Sequence, residues 1–138
     1  MVVMDALISI HPKYVDRIVS GEKKYEFRKK IPCRPVERIF VYSTNPQKKI
    51  VGWFFLSGYI EGDPSDVWEQ SKEFAGVTEF EYQNYFMNYN WSYAIMIEQF
   101  HVFKDYIDPW IYGSFFPPQS FLYIEEKGRL YEQLCCLV

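Results

Sequence analysis

Gly21-Glu22-Lys23-Lys24-Tyr25-Glu26-Phe27-Arg28 joins a short helical pattern to the first strongly β-like run of the chain. A glycine just past the last periodic residue of a helix is the usual left-handed cap, since only glycine takes positive φ without a Cβ clash. Gly21 therefore ends one element, and a new one starts behind it. From Lys24 onward an extended backbone sends Tyr25 and Phe27 to one face and Lys24, Glu26 and Arg28 to the other. The rings face a core, and Glu26 and Arg28 line a surface or a cleft, where a carboxylate beside a guanidinium offers an acceptor and a planar fork of donors. Strict alternation puts Lys23 on the aromatic side, so it joins that polar group only if residues 22 to 24 belong to the turn or to a bulge. The alternative for Glu26 and Arg28 is an exposed cross-strand ion pair of little energetic weight.

Working outward toward the N-terminus, Ala6-Leu7-Ile8-Ser9-Ile10 is short, apolar and β-branched, and it ends at His11-Pro12. It reads as a first strand, followed by a helix from Pro12 through Ser20 with Tyr14, Val15, Ile18 and Val19 on one face. On the other side, Ile31-Pro32 and Arg34-Pro35 mark a loop, Arg38 to Ser43 a strand, and Asn45-Pro46 a turn. Lys49 to Ile60 reads as one longer strand whose Gly52 and Gly58 are bulges or barrel corners.

Asp63-Pro64 opens a helix through about Ser71, and Thr78-Glu79-Phe80-Glu81 has the capping-box spacing for another. There Tyr82, Tyr85, Phe86 and Tyr89 recur at helical spacing, most simply as a core face. Ser92 to Phe103 alternates as a long strand covered on both faces, Lys104 to Pro118 is irregular and ring-rich, and Leu130 to Val138 is a final short helix. This order predicts an α+β fold in a single domain, residues 1–138, with a curled, mostly antiparallel sheet and short helices covering its ends.

A chain of 138 residues that is 49% apolar can bury one sizeable core. At 20% of residues, aromatic side chains exceed what such a core needs, so some line a pocket or an interface. The net charge of -3 argues against coating nucleic acid by bulk charge. A local basic patch nevertheless runs from Lys23 to Arg38, through Lys24, Arg28, Lys29, Lys30 and Arg34, and the stretch from Glu61 to Glu81 is acidic. Cys33, Cys135 and Cys136 have no ligand-like spacing, which points to a reducing, cytoplasmic compartment. His11 and His101 stand alone, so neither a metal site nor a cofactor is expected. No leader opens the chain and no apolar run approaches membrane-spanning length, so no membrane partner is expected either.

The pattern of Gly21, Lys23, Glu26 and Arg28, behind a strand and a short helix, resembles the signature of the ASCH family of PUA-like β-barrel domains. Ser9-Ile10-His11-Pro12-Lys13, Val41-Tyr42-Ser43-Thr44-Asn45-Pro46, Ile50-Val51-Gly52 and Pro117-Pro118-Gln119-Ser120-Phe121 extend the resemblance to a subgroup described as predicted transcriptional regulators. The resemblance implies a small PUA-like, mostly antiparallel β-barrel. Its cleft would carry Lys23, Glu26 and Arg28, with Tyr42, Ser43, Gln119 and Ser120 at the rim. It implies a module that binds RNA or a nucleotide-like ligand in RNA metabolism or in the regulation of transcription or translation. Lys23 and Arg28 would neutralise phosphate, Glu26 would accept from an exocyclic amine, and Tyr42 would stack.

A hydrolase is the alternative, with Lys23 and Glu26 as its acid/base pair. Some relatives deacetylate acetylcytidine with a lysine, a threonine nucleophile and a glutamate, but Glu26 stands here where that threonine falls. Other relatives are ribonucleases, in which a lysine beside hydroxyls such as those of Ser43 or Tyr42 assists phosphodiester cleavage. A third possibility is a protein-interaction domain whose aromatic surplus forms a homodimer surface.

Overall fold

The computed structural model describes residues 4–113, 115–124 and 128–138. Strand β1 (Met4–Ile10) leads into helix α1 (Pro12–Val19), where His11 serves as N-cap and Pro12 sits in the first turn. After β2 (Tyr25–Arg28) come β3 (Val36–Ser43), β4 (Lys49–Phe55) and β5 (Tyr59–Gly62). Helix α2 (Pro64–Ser71) is capped by Asp63, and a 3-10 turn (Lys72–Phe74) separates it from α3 (Glu79–Tyr85), whose capping box pairs Thr78 with Glu81. Strands β6 (Ser92–Met96) and β7 (His101–Ile107), a 3-10 turn (Pro109–Tyr112), β8 (Phe121–Ile124) and helix α4 (Arg129–Cys135) complete the order.

The strands form two sheets, one of five strands in the order β7-β4-β3-β1-β8 and one of three in the order β2-β6-β5. Among the described residues only β1 and β3 run parallel, as a strand-helix-strand crossover through α1 requires; every other pair there is antiparallel. The fold is α+β and PUA-like, with a barrel-like wall. Among the described residues no strand pair closes that wall into a ring.

The two long strands read from sequence are each divided, Lys49 to Ile60 into β4 and β5 and Ser92 to Phe103 into β6 and β7. Because β4 pairs with β7 in the large sheet and β5 with β6 in the small one, the four pieces form one antiparallel ribbon bent across both sheets. Alternation is blind to such a corner, since hydrophobic period persists on both sides of it. The glycines mark the bend. The β4–β7 register shifts beside Gly52, where an added Cβ would meet the His101 carbonyl, and Gly58 lies between β4 and β5, its carbonyl accepting the Met96 N–H at 3.0 Å.

Three apolar layers follow from the alternation. Leu7, Phe40, Tyr42 and Ile50 face Phe115 and Leu134 of the closing segment. Ile8, Ile10, Ile39 and Val41 face α1 and Ile95 of the small sheet. Phe27 and Ala94, on the far side of the small sheet, meet Val67 and Tyr82 from the two helices α2 and α3. The aromatic stripe read from sequence outruns the helix: α3 ends at Tyr85, Tyr82 and Phe86 are buried, Tyr85 is partly exposed, and Tyr89 lies past the reversal at Asn88 and is exposed. The segment read as irregular from Lys104 begins inside β7, and strand β8, which pairs with β1, lies beyond its end at Pro118; its four residues follow two prolines and carry too little pattern to announce a strand. No helix among the described residues is long and apolar enough to cross a membrane.

Candidate functional site

Between α1 and β2 the backbone turns tightly. Gly21 adopts φ 86°, and the N–H groups of Lys23 and Lys24 are spent on Arg17 O (2.9 Å) and Phe74 O (2.8 Å). Lys23 therefore belongs to the turn, which frees its side chain from strand alternation and sends it inward. Its Nζ donates to the Ala75 carbonyl at 3.0 Å, lies 3.6 Å from Glu26 Oε1 and sits 4.9 Å from the centre of the Phe27 ring. With 1% of the side chain exposed, burial pushes the Lys23 ammonium below its ordinary pKa; the Glu26 charge opposes that shift only in part.

Arg28 is committed to the protein on every side. Its Nε and Nη2 both donate to Glu26 Oε2, at 3.1 and 2.8 Å, while Nη2 also reaches Ser9 O at 2.6 Å and Nη1 reaches Ser120 O at 3.4 Å. The guanidinium thus ties β2 to β1 and to the segment entering β8. Glu26 Oε2 is saturated by this fork, whereas Oε1 accepts no hydrogen bond among the described residues and has only the Lys23 ammonium beside it. The result is a buried carboxylate, fixed by two cations, with one oxygen left to accept.

Lys23, Glu26 and Arg28 line a cavity of about 260 Å³, near the lower end of ligand-pocket sizes, ~300 Å³. Tyr14, Phe27, Tyr82 and Tyr85 supply aromatic walls, and His11, Glu81 and Gln119 contribute polar groups. Lys23, Glu26, Arg28 and Gln119 are therefore brought together, and Ser120 joins through its carbonyl. Tyr42 and Ser43 lie apart from this lining: Tyr42 packs in the core with its ring 5.1 Å from Phe115, and Ser43 is fully buried with no partner for its hydroxyl among the described residues. Sequence reading placed Tyr85 in the core and Glu81 only in a cap. The i, i+3, i+4 spacing that marks an apolar stripe does not say how wide its buried part is. Among the described residues no group of three His, Cys, Asp or Glu side chains is placed to hold a metal ion.

Glu81 closes one side of the cavity while capping α3. Its Oε1 accepts the Thr78 N–H at 3.0 Å, and Oε2 accepts the Tyr14 hydroxyl at 2.6 Å and the Lys13 ammonium at 3.2 Å. The Thr78 N–H foremost, then the Tyr14 hydroxyl, hold its carboxyl at about 2. A carboxylate depressed on folding adds stability that is complete above its unfolded pKa and is lost as pH falls through the folded one. Between pH 4.5 and about 2 the link from α3 to α1 is therefore expected to weaken, and Glu81→Gln should flatten the acid limb of a thermal-denaturation series in that window. An unchanged acid limb in the variant would place the loss elsewhere.

The ASCH domain family model matches residues 8–102. An ASCH domain-containing ribonuclease of Zymomonas mobilis is 30% identical over 128 residues, covering 89% of this chain and 86% of that one. A large ribosomal subunit protein uL22 of Ureaplasma parvum is 28% identical over 120 residues, 86% of this chain but 39% of its own length. The crystal structure of the ASCH protein from Zymomonas mobilis superposes with a TM-score of 0.86 at 29% identity, covering 97% of this chain and 95% of that one. A tyrosine-to-phenylalanine variant of the same protein gives 0.86 at 28% identity, with 97% and 98% covered.

Proposed function

Because this chain belongs to the ASCH domain family, we propose that its cavity takes up one nucleotide of an RNA, reading the base through Glu26. One observation carries this: a buried carboxylate, its Oε2 held by Arg28 and its Oε1 3.6 Å from the Lys23 ammonium but accepting no hydrogen bond among the described residues, lines a cavity with aromatic walls. A charged acceptor fixed in that way suits an exocyclic base amine, and the rings suit its faces. Arg28 serves to position Glu26 and leaves phosphate neutralisation to more exposed cations. Regulation of transcription or translation would follow from RNA recognition of this kind.

The experiment is calorimetric titration with cytidine, which carries an amine, and uridine, which has a carbonyl in its place. Cytidine is expected to bind about tenfold tighter or more, and the preference to disappear in Glu26→Gln. Equal affinity for the two nucleosides, or a preference that survives the substitution, would refute the assignment.

The relative named as a ribonuclease favours a second reading, in which the same cleft cleaves RNA. Here the ribose 2′-hydroxyl attacks the adjacent phosphorus and loses its proton to Glu26, while Lys23, its pKa lowered by burial, protonates the departing 5′-oxygen. Labelled RNA should then yield a 5′-hydroxyl fragment, with Glu26→Gln silent. No product at high protein concentration would retire this reading. Deacetylation of acetylcytidine lacks support, since the carboxylate at position 26 is anchored as an acceptor.

A further inference from the structure

Beside the cavity, Lys29 follows directly on Arg28 at the end of β2 and turns toward the C-terminal end of α3. Its Nζ lies 4.4 Å from the centre of the Tyr85 ring and 4.3 Å from that of Tyr89. Tyr89 reaches this place because the chain reverses after α3: Asn88 adopts φ 68°, and the Tyr89 N–H donates to Phe86 O at 2.9 Å. Among the described residues no carboxylate lies within ion-pair distance of Lys29. Its charge is held on ring faces alone. Tyr85 and Tyr89 are 39% and 48% exposed, and Tyr85 also lines the cavity, so the two features share a wall.

We propose that Lys29, Tyr85 and Tyr89 form a subsite for the nucleotide next to the one in the cavity, so that the ligand is single-stranded RNA of at least two nucleotides. The inference rests on the reading of the cavity given above. A cation without a counter-ion beside two half-exposed rings matches the recurring solution for single strands, in which an ammonium pairs with backbone phosphate and an aromatic face carries a base. Duplex RNA keeps its bases stacked inside and offers nothing for Tyr89 to hold. The charge of Lys29, next in the chain to the cavity residue Arg28, complements a backbone phosphate.

The test is fluorescence anisotropy with 2′-O-methyl tetranucleotides, which cannot be cleaved through the 2′-hydroxyl, alongside calorimetry with cytidine. Tyr89→Ala should weaken tetranucleotide binding about tenfold and leave cytidine binding unchanged. Lys29→Gln should reduce the slope of log affinity against log salt by about one phosphate's worth. Cytidine binding that depends on Glu26, combined with tetranucleotide affinity indifferent to both substitutions, would overturn the subsite alone. No binding of either probe by the unsubstituted chain would overturn the cavity reading and the subsite with it.

Discussion

Glu26→Ala is expected to destabilise the fold by about 3–5 kcal/mol, the usual cost of stranding buried charge by removing its partner. The side chains of Lys23, Glu26 and Arg28 are 1%, 10% and 11% exposed, so neither cation is well hydrated in the folded chain. Arg28 would lose two of its bonds and keep those to Ser9 O and Ser120 O, while Lys23 would keep only Ala75 O and the faces of Tyr14 and Phe27. Urea denaturation should show a lower midpoint with an unchanged slope. Adding Lys23→Met to Glu26→Ala should return part of the loss, because one of the stranded charges is then gone. A loss under about 1 kcal/mol would mean that water already reaches the cluster, which is the magnitude expected of exposed ion pairs.

Gly76→Ala is the second large effect. Gly76 adopts φ 65°, where any other residue is strained by about 1–2 kcal/mol, and an added Cβ would overlap the Cβ and Cγ of Lys23. The Lys23 backbone is also in the way, with Cα at 2.9 Å, so a rotamer change alone gives no relief. Overpacking of this kind adds about 1–3 kcal/mol, for a total of roughly 3 kcal/mol. Gly76 O also accepts from Arg17 Nη1 at 2.7 Å, so a shift of this loop pulls on α1 as well. Gly21→Ala supplies the control: its φ of 86° is equally left-handed, but nothing lies within 4 Å of the added methyl, and only the conformational part should be lost. Equal destabilisation by the two substitutions in thermal melts would show that the Lys23 contact does not matter.

The parts of this molecule that were legible in its sequence are those decided by local chemistry. Helix α1 is announced by Pro12 and closed by Gly21, α2 by Asp63-Pro64, and α3 by Thr78 and Glu81. Phe27 packs into the core with Tyr25 against it, as strand alternation predicts, although its ring also borders the cavity that Glu26 and Arg28 line. Lys23 required the turn that Gly21 makes, and that turn is present.

What the sequence did not disclose depends on distant partners. The corner that divides β4 from β5 and β6 from β7 leaves the hydrophobic period intact, and β8 is a strand only because β1 has an edge to offer. The α3 stripe is cut short because the helix stops at Tyr85 and the chain reverses at Asn88, which leaves Tyr82 inside and Tyr85 and Tyr89 exposed. Arg28 looked like a phosphate ligand because a guanidinium's partners cannot be read from its neighbours in the chain. Its two carbonyl acceptors, Ser9 and Ser120, lie 19 and 92 residues away.

The most direct measurement is a crystal structure of the chain with cytidine 5′-monophosphate bound. The account predicts the 4-amino group within hydrogen-bond distance of Glu26 Oε1, the base between Tyr14 and Tyr85, and the Arg28 fork on Oε2 undisturbed. A nucleotide seated elsewhere, or one whose phosphate draws Arg28 away from Glu26, would contradict it.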